Sequence, residues 1–184
     1  KLRNYNEITE PKLIFGEKEN EYHQFYLSCG VTINSKGDIY VCGDNRIQIF
    51  DSEGKFISTF GSNGNGNGKF DHPKGIMINS KGNIIVHDRR NHRIQIFDSE
   101  GNFISTFGSY GDGIGQFKLP DGICIDKNDN IYVYESYNNQ IQIFGSNGKF
   151  ISKFESSYQF NSSVKMKLIQ KETSLLVIVV MIKL

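Results

Sequence analysis

The sequence predicts an all-β chain of repeated four-stranded units, on three observations. The stretch Arg46–Ser62 reads RIQIFDSEGKFISTFGS, and Arg93–Ser109 repeats it with one change, Lys55 against Asn102. Gln140 opens a third, looser copy, so Arg46, Arg93 and Gln140 stand 47 residues apart, each followed by IQIF. The 184 residues contain no Ala and no Trp but many Ile, Phe, Tyr, Asn and Gly. Ala is the best helix former, whereas β-branched and aromatic residues suit strands, and Asn and Gly suit turns.

The central unit shows the elements in order. Four short apolar runs, GIMIN (75–79), NIIVH (83–87), RIQIF (93–97) and NFISTF (102–107), are joined by SKG, DRRNH and DSEG. Runs of about five residues linked by 3–5-residue turns read as an antiparallel meander. In the last run Phe103, Ser105 and Phe107 face one way, and Ile104 and Thr106 the other. That period of two belongs to a strand. A four-stranded sheet recurring at about 40–50 residues is the blade of a β-propeller, and one blade buries both faces only by stacking on its neighbours. The expected units are about 30–60, 75–107 and 122–154, with partial blades at 1–16 and 164–182, all within one domain spanning 1–184. Two half blades around three full ones fit a closed four-bladed ring or part of a larger one.

The residues NHRIQIFDSEGNFISTFGS, from Asn91-His92-Arg93, and the following GIGQFKLPDGICIDKNDNIYV resemble the NHL repeat. That repeat builds the C-terminal propellers of tripartite-motif proteins. The resemblance extends over about Phe15 to Phe154. It departs from the pattern at the shorter CGDNR of the first unit, at Ser28 where Pro73 and Pro120 stand, and at Glu155 in place of a Gly. It implies a non-catalytic scaffold whose loops bind protein or RNA, and a substrate-recruiting role if a RING region lies elsewhere in the protein. The alternative from the same broad fold is a six-bladed metal-dependent lyase or hydrolase.

Catalytic and metal signals are weak. Twenty-one basic against twenty acidic residues leave a formal charge of +1, which points to neither nucleic acid nor an anionic membrane. Metal ligands in a propeller channel should recur at one phase of the repeat. His72 matches Leu119, His87 matches Tyr134 and Cys42, and His23 and His92 sit in loops. No metal, cofactor or nucleophile site is therefore expected. GSNGNGNGKF (61–70) lacks phosphate-loop spacing and precedes a strand, so it reads as a flexible blade-to-blade connection. DKNDN (126–130) lacks the Gly and Glu of a calcium loop and reads as a hairpin turn. Cys29, Cys42 and Cys124 form no pair motif and read as buried thiols in a reducing compartment, the cytoplasm. LLVIVVMI (175–182) is too short to span a bilayer and reads as a buried strand.

What remains is the face formed by the loops between second and third strands and by the blade-to-blade connections. Arg89, Arg90, His92 and Arg93 cluster there, Arg46 shares the phase of Arg93, and Tyr110 and Tyr137 add aromatic rings. Arg with aromatic rings suits phosphate pairing and base stacking, or a protein contact. Asp44 and Asp88 lie near enough in sequence to pair with Arg46 and Arg93 instead. Both readings stand at this point.

Overall fold

A computed structural model describes residues 30–155 in full and the backbone of two further strands at 164–171 and 174–181. The half blade expected at 1–16, Cys29 and His23 lie outside the described residues.

The first sheet is β1 (Gly30–Ile33), β2 (Ile39–Gly43), β3 (Arg46–Phe50) and β4 (Phe56–Phe60), antiparallel in that order. The second is β5 (Pro73–Ile78), β6 (Ile84–Asp88), β7 (Arg93–Phe97) and β8 (Phe103–Phe107). A short parallel pair follows, β9 (Ser109–Tyr110) with β10 (Gln116–Phe117), inside the next connection. The third sheet is β11 (Gly122–Ile125), β12 (Ile131–Glu135), β13 (Gln140–Phe144) and β14 (Phe150–Glu155). Then comes the hairpin β15 (Val164–Lys171) and β16 (Ser174–Met181). First strands stand side by side in turn: β1 beside β5, β5 beside β11, β11 beside β15. That is the arrangement of inner strands around a propeller axis, and β15 takes the place of the next inner strand.

The duplicated residues build the seams between blades. Phe60, Phe70 and Phe97 meet with ring centroids 5.0–6.4 Å apart, joining the first blade to the second. Phe107, Phe117 and Phe144, each 47 residues further on, repeat the trio at 4.7–6.3 Å. Phe70, Phe97, Phe117 and Phe144 are fully buried, and each such ring contributes roughly 1.5–3 kcal/mol. The ten-residue step from Phe60 to Phe70 spans the connection between blades. It needs Gly61 at φ +92°, where a Cβ would sit 2.4 Å from the Phe70 ring; Gly108 at φ +103° repeats this against Phe117 at 2.5 Å. Only glycine meets both conditions.

The polar letters of the repeat are local fasteners. Thr59 and Thr106 donate from Oγ1 to the carbonyls of Ile47 and Ile94 (2.8 and 2.9 Å) across β3–β4 and β7–β8. Asp51 Oδ1 accepts the Glu53 and Lys55 amides, and Asp98 Oδ1 those of Glu100 and Asn102. Asp126 does the same for Asn128 and Asn130, which makes DKNDN a turn fastener between β11 and β12.

Candidate loop-face site

The loops after β2, β6 and β12 and the two blade connections lie together on one face, as their mutual hydrogen bonds show. Asp88 ends β6 fully buried. Its Oδ1 accepts the Asp71 amide (2.8 Å), and its Oδ2 accepts Asn91 Nδ2, Arg93 Nε (both 2.9 Å) and Gln95 Nε2 (3.1 Å). Glu135, ending β12, repeats the device. Oε2 takes the Lys118 amide (2.9 Å) and Asn138 Nδ2 (2.8 Å); Oε1 takes Gln140 Nε2 (2.9 Å) and Gln142 Nε2 (3.1 Å). Burial raises the pKa of both carboxyls, against the pull of these donors.

The same donors pin the connections. Gln95 donates to the Lys69 carbonyl (2.7 Å) and accepts the Gly68 amide (3.0 Å), and Gln142 serves Gln116 (2.7 Å) and Gly115 (2.9 Å) alike. Asn91 Nδ2 also donates to the Gly64 carbonyl (2.9 Å). The glycine-rich segment, expected to be flexible, is thus fastened along its length. The expectation failed because sequence shows its glycines but not the amides and guanidinium that close over them.

The arginines divide by role. Arg93 Nη2 donates to the carbonyls of Gly66 (2.8 Å) and Lys69 (2.9 Å) while its Nε holds Asp88, leaving the side chain 11% exposed. Arg46 pairs with Asp44 at 3.5 Å. Arg89 is mostly buried, 3.6 Å from Asp121 Oδ1. Arg90 is different: its side chain is 60% exposed, with only Asp71 at 3.8 Å. His92, in the left-handed region at φ +54°, accepts the Leu119 amide at Nδ1 (3.1 Å) and packs edge-on to Tyr110, centroids 5.0 Å apart. Burial first, then Arg89, lowers its pKa. Tyr110 and Tyr137 are 62% and 61% exposed, and Ile114, on the same connection as Tyr110, is exposed as well. Asn138 Nδ2 donates to the Gly111 carbonyl (3.3 Å), which sets the Tyr137 loop against the Tyr110 connection.

Sequence reasoning missed the cluster of Lys74, His87 and Asp121 at the seam between blades two and three. Lys74 Nζ meets Asp121 Oδ1 at 3.2 Å. These residues are 47 apart, so opposite charges at one phase of adjacent repeats were the available signal. His87 is fully buried, with neither ring nitrogen in a hydrogen bond of ordinary geometry. Burial, then Lys74, pushes its pKa down to about 3, although Asp121 and the Pro120 carbonyl oppose this. Among the described residues no three of His, Cys, Asp and Glu gather as metal ligands. Cys42 and Cys124 are buried thiols outside any disulfide, and burial pushes the Cys124 thiol up to about 12. Among the described residues no helix is long and apolar enough to cross a membrane.

Comparison with known proteins agrees with this architecture. Residues 79–168 match the family DUF5128, described as a 6-bladed beta-propeller. Protein brain tumor of Drosophila melanogaster is 35% identical over 91 residues, covering 46% of this chain and 9% of that protein. RING finger protein nhl-1 of Caenorhabditis elegans is 37% identical over 80 residues, covering 42% of this chain and 8% of that protein. The chain thus matches less than a tenth of the length of either relative. Among solved structures, a streptogramin B lyase superposes with TM-score 0.54 at 16% identity, over 72% of this chain and 41% of the lyase. Virginiamycin B lyase from Staphylococcus aureus gives 0.56 at 18%, over 72% and 42%. At such identity the likeness concerns the fold alone. The 47-residue repeat, the four-stranded blades and the two NHL-repeat relatives bear out the resemblance to the NHL-repeat β-propeller family.

Proposed function

We propose that this propeller is a non-catalytic interaction module that takes a macromolecular partner, protein or RNA, on its loop face. One observation carries the reading. Buried groups fasten both connections from within, so Arg90, Tyr110, Ile114 and Tyr137 project from pinned backbone. Exposed aromatic and arginine side chains on a preorganised frame bind with little ordering cost, and such residues dominate interface energetics. Reduced Cys42 and Cys124 suit the cytoplasm as its place of work. A substrate-recruiting role beside a RING region extends the same reading to a longer protein, and the RING finger in the name of the nematode relative supports it. The lyase alternative lacks a gathered ligand set among the described residues.

The test is selection of random dodecapeptides and of a random single-stranded RNA pool on the immobilised chain. The triple variant Arg90→Glu, Tyr110→Ser, Tyr137→Ser serves as the control. Enrichment of either pool that the triple variant loses supports the module. Enrichment of neither, or enrichment unaffected by the triple change, overturns it.

A further inference from the structure

We propose that the seam between the second and third blades is a receptor for a single carboxylate of a protein partner, held by Lys74 and Arg89. This rests on the interaction-module reading and names the chemistry it recognises.

Lys74 projects from β5, Arg89 follows β6, and Asp121 precedes β11, so three elements of two blades converge at one point. Asp121 Oδ2 is filled by the Ser136 amide (3.1 Å) and hydroxyl, so both cations share the remaining oxygen, Oδ1. Two positive charges thus face one negative charge. Lys74 donates a hydrogen bond to that oxygen, whereas Arg89 stands 3.6 Å away as an ion pair, and its Nε is buried with no acceptor. Near them lies His87, fully buried, with the Pro120 carbonyl as a poorly aligned partner and no hydrogen bond of ordinary geometry. Unmatched donors in a native interior call for an explanation, and a missing anion is one that also balances the charge. The Arg89 charge also reaches His72, together with Arg90 and Lys74 and against Asp71, and His92, against Asp88.

A single carboxylate fits better than a nucleic-acid strand. A strand is held by several cations along its track. Here Arg46 and Arg93 are paired internally, and Asp44, Asp71 and Asp112 interrupt any continuous positive path. Elsewhere on the same loop face Tyr110, Ile114 and Tyr137 are exposed and suit apolar side chains of the same peptide.

The full chain is used to select random dodecapeptides, and the enriched peptides are synthesised and measured. The expected peptides share one Asp or Glu. Changing that acid to its amide should weaken binding about tenfold, as should Arg89→Gln or Lys74→Met. Asp121→Asn should tighten binding several-fold, because it removes the competing carboxylate; damage to the fold would act in the opposite direction. Enriched peptides with no common acid, lost only with the triple variant above, overturn the carboxylate receptor and leave the module standing. Retention of RNA alone, sensitive to Arg89→Gln, assigns the seam to phosphate and also overturns it. Retention of neither pool overturns both readings.

Discussion

Blades two and three solve one problem with different residues. In the second, a short carboxylate (Asp88) meets a long donor (Arg93); in the third, a longer carboxylate (Glu135) meets a shorter donor (Gln140). The combined reach is what recurs, and the closing distance is 2.9 Å in both. The charge differs. Asp88 faces a guanidinium, while Glu135 is surrounded by amides from Asn138, Gln140 and Gln142. An arginine on the loop face is therefore no sign of a ligand by itself, since an amide holds the same post one blade later.

The sharpest way to break this comparison is to remove each carboxylate. Asp88→Ala leaves the mostly buried Arg93 charge with backbone carbonyls alone and removes the acceptor of the Asp71 amide, and should cost about 3–5 kcal/mol in urea unfolding. Glu135→Ala strands only neutral donors and should cost about 2–3 kcal/mol. Equal losses would show that the guanidinium contributes nothing beyond an amide.

Acid separates the two blades next, because His87 has Tyr134 as its counterpart. The folded pKa of His87, about 3, lies below the unfolded value of about 6.5. The unfolded chain therefore binds the extra proton, and stability is full above pH 6.5 and falls as pH drops through the window. By pH 4 the loss from this residue should reach about 3 kcal/mol. Asp88 and Glu135, with raised pKa values, work in the opposite sense. The measurement is therefore the difference between the parent and His87→Cys, which copies Cys42 of the first blade. Identical pH profiles would refute the assignment.

An exchange tests reach directly. Asp88→Glu and Arg93→Gln should each cost roughly 2 kcal/mol, whereas the double change recreates the third blade's pair and should return to within about 1 kcal/mol of the parent. A purely additive double variant would mean that the match in length is incidental. The smallest effect concerns His92. Asn45, at the same phase and also left-handed, accepts the His72 amide at 2.8 Å as His92 accepts that of Leu119. His92→Asn should change thermal stability at pH 7 by under about 0.5 kcal/mol and soften its decline at mild acid.

The sequence made the blades legible because their fastening is periodic: Phe60 and Phe107, Thr59 and Thr106, and Asp51 and Asp98 do the same work 47 residues apart. The loop face could be located but its roles could not be sorted. Whether Arg93 or Arg90 points outward depends on the Gly66 and Lys69 carbonyls, which lie 24–27 residues before Arg93 and arrive only when the connection folds back. The pinned glycine-rich segment was missed for the same reason. The Lys74–Asp121 pair was written in the repeat as opposite charges at one phase, and a search for like residues passes over it.

The fastening of the connections has a consequence for how the chain acquires its shape. Besides their own backbone bonds, residues 61–70 are tied by Asn91, Arg93 and Gln95, which lie in the blade that follows, so those ties need that blade's third strand to be present. During synthesis the step that locks into place thus runs from a connection through the next blade's third strand, out of register with the repeat as written. The duplicated stretch, which begins on that third strand and ends at the following connection, straddles the boundary between two such steps.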